Sequence, residues 1–259
     1  MEETGRYLYS VARTRDEVRL GVIGIEESPV YTVPFQDIAA VVHSCQPVPY
    51  GTKDQKLAED WILEHNYVID HATKRFGTVL PFSFDAIVRG DDEVIKGWLA
   101  ENYEMLSTEL HRVKDKDEYS VQIFYDDQKL KSRLLESDPG LKALKEKTEG
   151  MSPGKAYLLS RNLDIKLKDG LALELARLGV QFGKMVKELS DEVKADERKT
   201  WVPDKYKDKK MLASFSCLVH HDKVESLGLA LDEINNMDGL AVRFTGPWAP
   251  FSFTEIGRS

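Results

Sequence analysis

Cysteine is nearly absent from the sequence. Its 259 residues hold two, Cys45 and Cys217, so no disulfide framework carries the fold and a reducing compartment is expected. Basic charge is not in excess either: 36 Lys and Arg face 44 Asp and Glu, a formal charge of −8, which argues against non-specific nucleic-acid binding. The one basic cluster, KYKDKK at Lys205–Lys210, reads as a solvated loop. No apolar run approaches the roughly 20 residues that span a bilayer. The opening MEETGRYLYS has acids where a signal peptide carries basic and then apolar residues. A soluble, cytoplasmic protein is expected, with neither nucleic acid nor membrane as partner.

Signatures of catalysis are also missing. There is no G-x-S-x-G elbow and no G-x-G-x-x-G turn. Gly150–Ala156, GMSPGKA, resembles a phosphate-binding loop but is one residue short, and Ala156 stands where a hydroxyl should reach Mg²⁺. His65 and His71 are six apart on one helical stretch, which turns them away from each other and from a shared metal. Cys45 and Cys217 lack a C-x-x-C partner and sit in apolar strand patterns, as buried free thiols do. No catalytic residue, metal or cofactor is expected. A nucleotide hydrolase acting through Gly150–Ala156 and a ligand-sensing module are the alternatives to a binding or assembly role.

What the sequence does have is clear periodicity. It is 42% hydrophobic and 31% charged, a globular composition. RYLYSVA, RLGVIGIE, PVYTVPF and IAAVVHS read as four strands. Leu57, Trp61, His65, Val68, Ala72 and Phe76 then recur at helical steps, and Asp91 or Asp92 can cap a further helix carrying Val94, Trp98, Met105 and Leu110. A polar joint at Lys114–Glu118 separates this α+β part, residues 1–114, from a second α+β part, residues 115–259. In the second part YSVQIFYD alternates as a strand, and helical segments follow, broken at Asp138–Gly140 and Gly150–Gly154. One long helix is expected from about 155 to 199. Leu171, Leu175, Leu178, Phe182, Met185 and Leu189 make a heptad-like seam along it, a possible partner-binding surface. Ala213, Phe215, Cys217 and Val219 then alternate, Val224, Leu227, Leu231 and Ile234 form a helical stripe, and Leu240, Val242 and Phe244 alternate again. This β-α-β ending suggests a small sheet backed by helices, with a split βαβ or ferredoxin-like order.

One tetrapeptide occurs twice: PFSF at Pro81–Phe84 and at Pro250–Phe253. The prolines place both at a sheet edge or strand exit. Extended geometry would set Phe82 and Phe84 on one face, and likewise Phe251 and Phe253. The surrounding residues do not match, so the two are packing devices rather than halves of a repeat.

Taken in order, GTVLPFSFDAIV, SPGKAYLLSRN and GPWAPFSF resemble the gas vesicle protein F and L family (GvpF/GvpL), and the likeness covers nearly the whole chain. Its motif residues here are Pro81, Phe82, Phe84, Gly154, Ala156, Tyr157, Leu158, Gly246, Pro247, Trp248, Pro250, Phe251 and Phe253. Ser83-Phe84-Asp85 departs from the basic residue and Phe-Gly that often follow the first Pro in that family. The resemblance implies a non-enzymatic accessory protein, a minor component or assembly factor of gas vesicles. It would bind the shell protein, gas vesicle protein A, and other accessory proteins, and would associate with the shell. It also implies a modified ferredoxin-like N-terminal domain followed by a C-terminal α+β domain, and it carries over no catalytic residues.

Overall fold

A computed structural model of the chain describes residues 4–148, 151–196, 202–254 and 256. Strands β1 (Gly5–Ala12), β2 (Arg19–Gly24), β3 (Ser28–Phe35) and β4 (Ile38–Cys45) lead into helix α1 (Gln55–Phe76). Two short strands, β5 (Leu80–Pro81) and β6 (Ile87–Arg89), precede helices α2 (Asp92–Glu101) and α3 (Tyr103–Arg112). Strand β7 (Lys116–Tyr125) opens the second half, followed by α4 (Asp127–Ser137), α5 (Pro139–Thr148) and α6 (Pro153–Glu188). Strands β8 (Glu192–Ala195) and β9 (Lys210–His220), helix α7 (Val224–Asn235) and strand β10 (Leu240–Trp248) complete the series. The α+β class is therefore as expected.

The chain folds as two units, Met1–Glu118 together with Gly246–Ser259, and Tyr119–Thr245. Residues 246–259 thus fall in the first unit, whereas the sequence grouped them with the second domain. Ala249 and Phe251 explain this, because both pack into the first unit's core.

In the first unit the sheet runs β2-β3-β4-β1-β5, with β6 also paired to β1. Every resolved pairing is antiparallel. β1 and β4 are central and almost wholly buried. Helix α1 starts at Asp54, whose carboxylate accepts from the Lys56 and Leu57 amides, and it buries Trp61, His65, Val68, Ile69 and Ala72. These meet Tyr7, Tyr9, Ala12 and Val41 of the sheet. The expected helix over Val94–Leu110 is in fact two. Asp91 caps the first, and α2 ends at Asn102, whose side-chain amide donates to the Trp98 carbonyl. Ile95, Leu99, Leu106 and Leu110 are the buried residues, while Val94 and Met105 point outward.

The two rings of the first PFSF do not share a face. Phe82 packs near Trp98 (5.8 Å between centroids), whereas Phe84 joins Tyr7, Tyr50 and His65. Strand β5 stops at Pro81 and Asp85 takes a φ of 71°, so strand periodicity does not extend through the motif. The second PFSF is a turn rather than a strand, with the Phe253 and Thr254 amides both donating to the Pro250 carbonyl at 3.1 Å.

The second unit has the order β10-β7-β9-β8, so its elements run β-α-β-β-α-β, with α4 to α6 in the first crossover. Tyr119, Val121 and Ile123 of β7 face Leu171, Leu178, Phe182 and Val186 of α6 and Leu227, Leu231 and Ile234 of α7. On the opposite face of the sheet, Phe124 stacks on Tyr206 at 4.7 Å. Helix α6 ends at Glu188, eleven residues short of the expected end at 199, because residues 192–195 form the edge strand β8 against β9. Positions 197–199 lie outside the described residues, as does Gly150. The thiol of Cys217 is buried, but Cys45 is only half-buried, unlike the expectation for it.

Candidate protein-interaction site

Three groups of residues were candidates for function, and they meet different fates. The seam of α6 is internal. Leu171, Leu178 and Phe182 are buried in the second unit's core, with Leu175, Met185 and Leu189 packed against it. That face is already covered by the chain's own sheet and cannot meet a partner as it stands. Gly154, Ala156, Tyr157 and Leu158 lie in the first two turns of α6, where Pro153 occupies the opening position. The element before this turn is helix α5 rather than a strand, so the segment lacks the strand-loop-helix geometry of a phosphate-binding loop. Gly154, Tyr157 and Leu158 are exposed.

The third group, Gly246–Phe253, builds an open groove. The lining residues are Leu63, Glu64, Asn66, Tyr67 and Asp70 of α1 with Trp248, Ala249 and Phe251, around a volume of about 760 Å³. The positions on α1 are spaced three and four apart, on the side of the helix away from Trp61, His65 and Val68. Leu63, Tyr67 and Trp248 are each at least half exposed. Two acidic residues and no basic ones line the groove, and burial raises the Asp70 carboxyl above its ordinary range, with Lys74 opposing the shift. The groove is therefore apolar with an acidic margin.

The turn that forms its far wall is pinned from below. The Glu118 carboxylate accepts from the Ser252 amide at 2.7 Å and from its hydroxyl at 2.6 Å. Arg112 donates to the Phe253 carbonyl at 2.7 Å while paired with Glu109. Phe253 itself is buried, so the motif anchors through Pro250 and Phe253 and presents Trp248 and Phe251. Gly246 and Pro247 are exposed.

The inner face of α1 carries a buried hydrogen-bond network that sequence reasoning missed. The Tyr7 hydroxyl accepts from the Asp85 amide, so its own proton goes to His65 Nδ1 at 2.9 Å. The other ring nitrogen of His65 then donates to the Phe82 carbonyl at 3.2 Å. Likewise Tyr9 accepts from the Ile25 amide and pairs with His43 Nδ1 at 2.7 Å, and His43 Nε2 pairs with the Tyr50 hydroxyl at 3.1 Å. Both imidazoles are thereby held neutral, and burial lowers each pKa from 6.5 to about 4. Burial pushes Tyr50 up to about 12, and Tyr7 and Tyr9 upward as well. Only the alternation of RYLYSVA hinted that Tyr7 and Tyr9 share a face. His43 is distant in sequence, and no local pattern joins it to them.

Such a network ties α1 to the sheet and to the Phe82 backbone. Among the described residues, no cluster of three or more His, Cys, Asp and Glu could hold a metal ion, and no helix is long and apolar enough to cross a membrane. The fold is thus an antiparallel α+β scaffold that carries an open, mostly apolar groove.

Comparison with known proteins specifies the family. The family described as "Gas vesicle synthesis protein GvpL/GvpF" matches residues 5–255, and the chain belongs to it. Gas vesicle protein L1 of Halobacterium salinarum is 30% identical over 259 residues, covering 98% of this chain and 92% of the relative. Gas vesicle protein F of a Streptomyces species is 27% identical, covering 96% and 99%. The crystal structure of GvpF from Anabaena superposes with a TM-score of 0.69 at 20% identity, covering 98% of this chain and 99% of that one, a likeness of fold. Membership of this family makes the chain a gas vesicle accessory protein.

Proposed function

We propose that the protein is an assembly factor that binds the major shell protein, gas vesicle protein A, during gas vesicle formation, and that the groove beside α1 receives it. The single observation behind this reading is the apolar wall of exposed Leu63, Tyr67 and Trp248 with half-buried Phe251, its turn pinned by the Glu118 and Arg112 anchors. Two of those four, Trp248 and Phe251, belong to the motif that marks the family. The bound segment would be apolar and flanked by a basic residue, complementing Glu64 and Asp70. Covering such a segment keeps a free subunit from aggregating before it joins the shell.

Strand addition at the sheet edge has weaker support. One edge of the first sheet is β2, and its pairing with β3 shifts register twice, between Arg19 and Gly21 and between Val22 and Gly24. Gly21 sits at a φ of 110°, which breaks the regular ladder that an incoming strand needs. Binding of purified shell protein to the Tyr67→Glu and Trp248→Ala variants tests the groove. Loss of binding with an unchanged melting temperature is expected. Unimpaired binding by both variants, or loss only in a β2 edge variant such as Val22→Pro, would refute it. Association with other gas vesicle accessory proteins and with the finished shell follows from the same reading.

A further inference from the structure

A second pocket of the first unit lies between the β2–β3 connection, the end of β4 and helix α1. Its volume is about 400 Å³, and Glu26, Ser28, Ser44, Gln46, Tyr50 and Trp61 line it. Trp61 is the one buried residue of the lining, at 7% exposure, and its indole N–H has no hydrogen-bond partner. Buried donors are almost always paired, because an unmatched one has left water without a replacement. Tyr50, beside it, is held from behind. Its amide donates to the Asp85 carboxylate at 3.0 Å, and its hydroxyl pairs with His43 Nε2 at 3.1 Å. Its ring meets Trp61 edge-on at 5.2 Å between centroids. Two preset aromatic walls therefore enclose one unmatched donor.

The polarity of the lining selects the ligand. Glu26 is its only charged residue, and the Glu26 amide donates to the Glu64 carboxylate at 3.1 Å, which brings a second acid alongside. Burial pushes the Tyr50 hydroxyl up to about 12, and the charges of Cys45, Glu26, Asp85 and Glu64 add to the shift. The local field is thus negative. Arg6 acts on Cys45 but is committed to Asp92 at 2.6 Å. A phosphate or a free carboxylate is disfavoured in such a field. A protonated amine suits Glu26, and a carbonyl oxygen suits the Trp61 N–H. Ser28, Ser44 and Gln46 can each donate or accept, as the two ends of an amide require.

We propose that this pocket binds an α-amino amide, a protonated amine next to an amide carbonyl, with the carbonyl accepting from Trp61 Nε1 and the amine facing Glu26. Free amino-acid amides and the N-terminal residue of a protein both carry that chemistry. The site is separate from the groove walled by Trp248 and Phe251, although Glu64 borders both.

The test is isothermal titration calorimetry of the full chain with phenylalaninamide, and with N-acetylphenylalanine as the anionic control. Phenylalaninamide should bind with a Kd below about 1 mM and N-acetylphenylalanine should not. Trp61→Phe keeps an aromatic ring but removes the N–H, and should weaken binding at least about tenfold. Glu26→Gln should do the same without lowering the melting temperature, because Glu26 is exposed, so the test stands even if Trp61→Phe folds poorly. Trp248→Ala should leave the affinity unchanged, which separates this pocket from the groove. Bound phenylalaninamide should also slow alkylation of Cys45 by iodoacetamide, since Cys45 belongs to the lining. A short Phe-led peptide with a free N-terminus, beside its N-acetylated twin, distinguishes the sources. Binding of the free-ended peptide points to a protein N-terminus and binding of phenylalaninamide alone to a small molecule, and either satisfies the proposal. No saturable binding of phenylalaninamide, or equal binding of N-acetylphenylalanine, overturns it. So does an affinity unchanged in both Trp61→Phe and Glu26→Gln, because water alone would then answer the indole.

Discussion

Acidification should unfold the first unit through His43 and His65 before its carboxylates matter. Each imidazole is neutral and buried in the folded protein, with a pKa lowered from 6.5 to about 4. The stability tied to each is fully present above the unfolded value. It is lost as pH falls from about 6.5 to about 4, where the unfolded chain binds a proton that the folded one refuses. At about 1.36 kcal/mol per pH unit, that depression amounts to roughly 3 kcal/mol for each ring, or about 6 kcal/mol for both. A loss of this size is comparable with the whole stability of an ordinary domain, about 5–15 kcal/mol. Carboxylates whose pKa the fold lowers, such as Asp37 beside Tyr103 and Arg13, act at the lower end of this range and below it. Urea denaturation at half-unit steps of pH, followed by far-UV circular dichroism, measures the curve. Its slope should approach about 2.7 kcal/mol per pH unit when both rings contribute, and His65→Gln should roughly halve it. A flat stability between about pH 6.5 and 4.5, or a slope unchanged in His65→Gln, would refute the neutral, buried state assigned to the two imidazoles.

Other perturbations separate the two units. Phe182→Ala removes a ring from the second unit's core and should cost about 3–5 kcal/mol, read from urea denaturation, whereas Val180→Ala on the outer face should cost less than about 0.5 kcal/mol. Glu118→Ala deprives the Ser252 amide and hydroxyl of their acceptor and should lower stability by roughly 1–3 kcal/mol. Hydrogen exchange over residues 249–254 should speed up in that variant, and unchanged protection would show that Glu118 does not hold the turn. Asp91→Ala removes the carboxylate that accepts from the Glu93 and Val94 amides, an expected loss of about 1 kcal/mol by thermal denaturation.

Much of the architecture was legible in the sequence because burial leaves a period. The four opening strands, α1 and the closing strand-helix-strand follow from apolar spacing, and the break at Asp138 from the Pro and Gly that follow it. Strand β8 did not, since Glu192–Ala195 is a short, mostly polar edge strand with no alternation to detect. For the same reason the end of α6 was read too late. The seam Leu171–Leu189 was correctly placed on one helical face, but periodicity cannot tell a face packed on its own sheet from one awaiting a partner. Leu158, Ile165, Leu173 and Val180, exposed on the other side of α6, are spread among polar and charged residues and show no seam. The groove draws residues from positions 63–70 and 248–251, and only tertiary structure brings these together.

Because the first unit takes its last pieces from residues beyond 245, it cannot be finished in the order in which a ribosome delivers it. The intervening unit has to be made first, and only then do Trp248 and Phe251 arrive to close the wall opposite Leu63 and Tyr67. A nascent chain stalled anywhere before that point has only the α1 side of the groove. The complete groove is thereby reserved for molecules whose translation has passed residue 251.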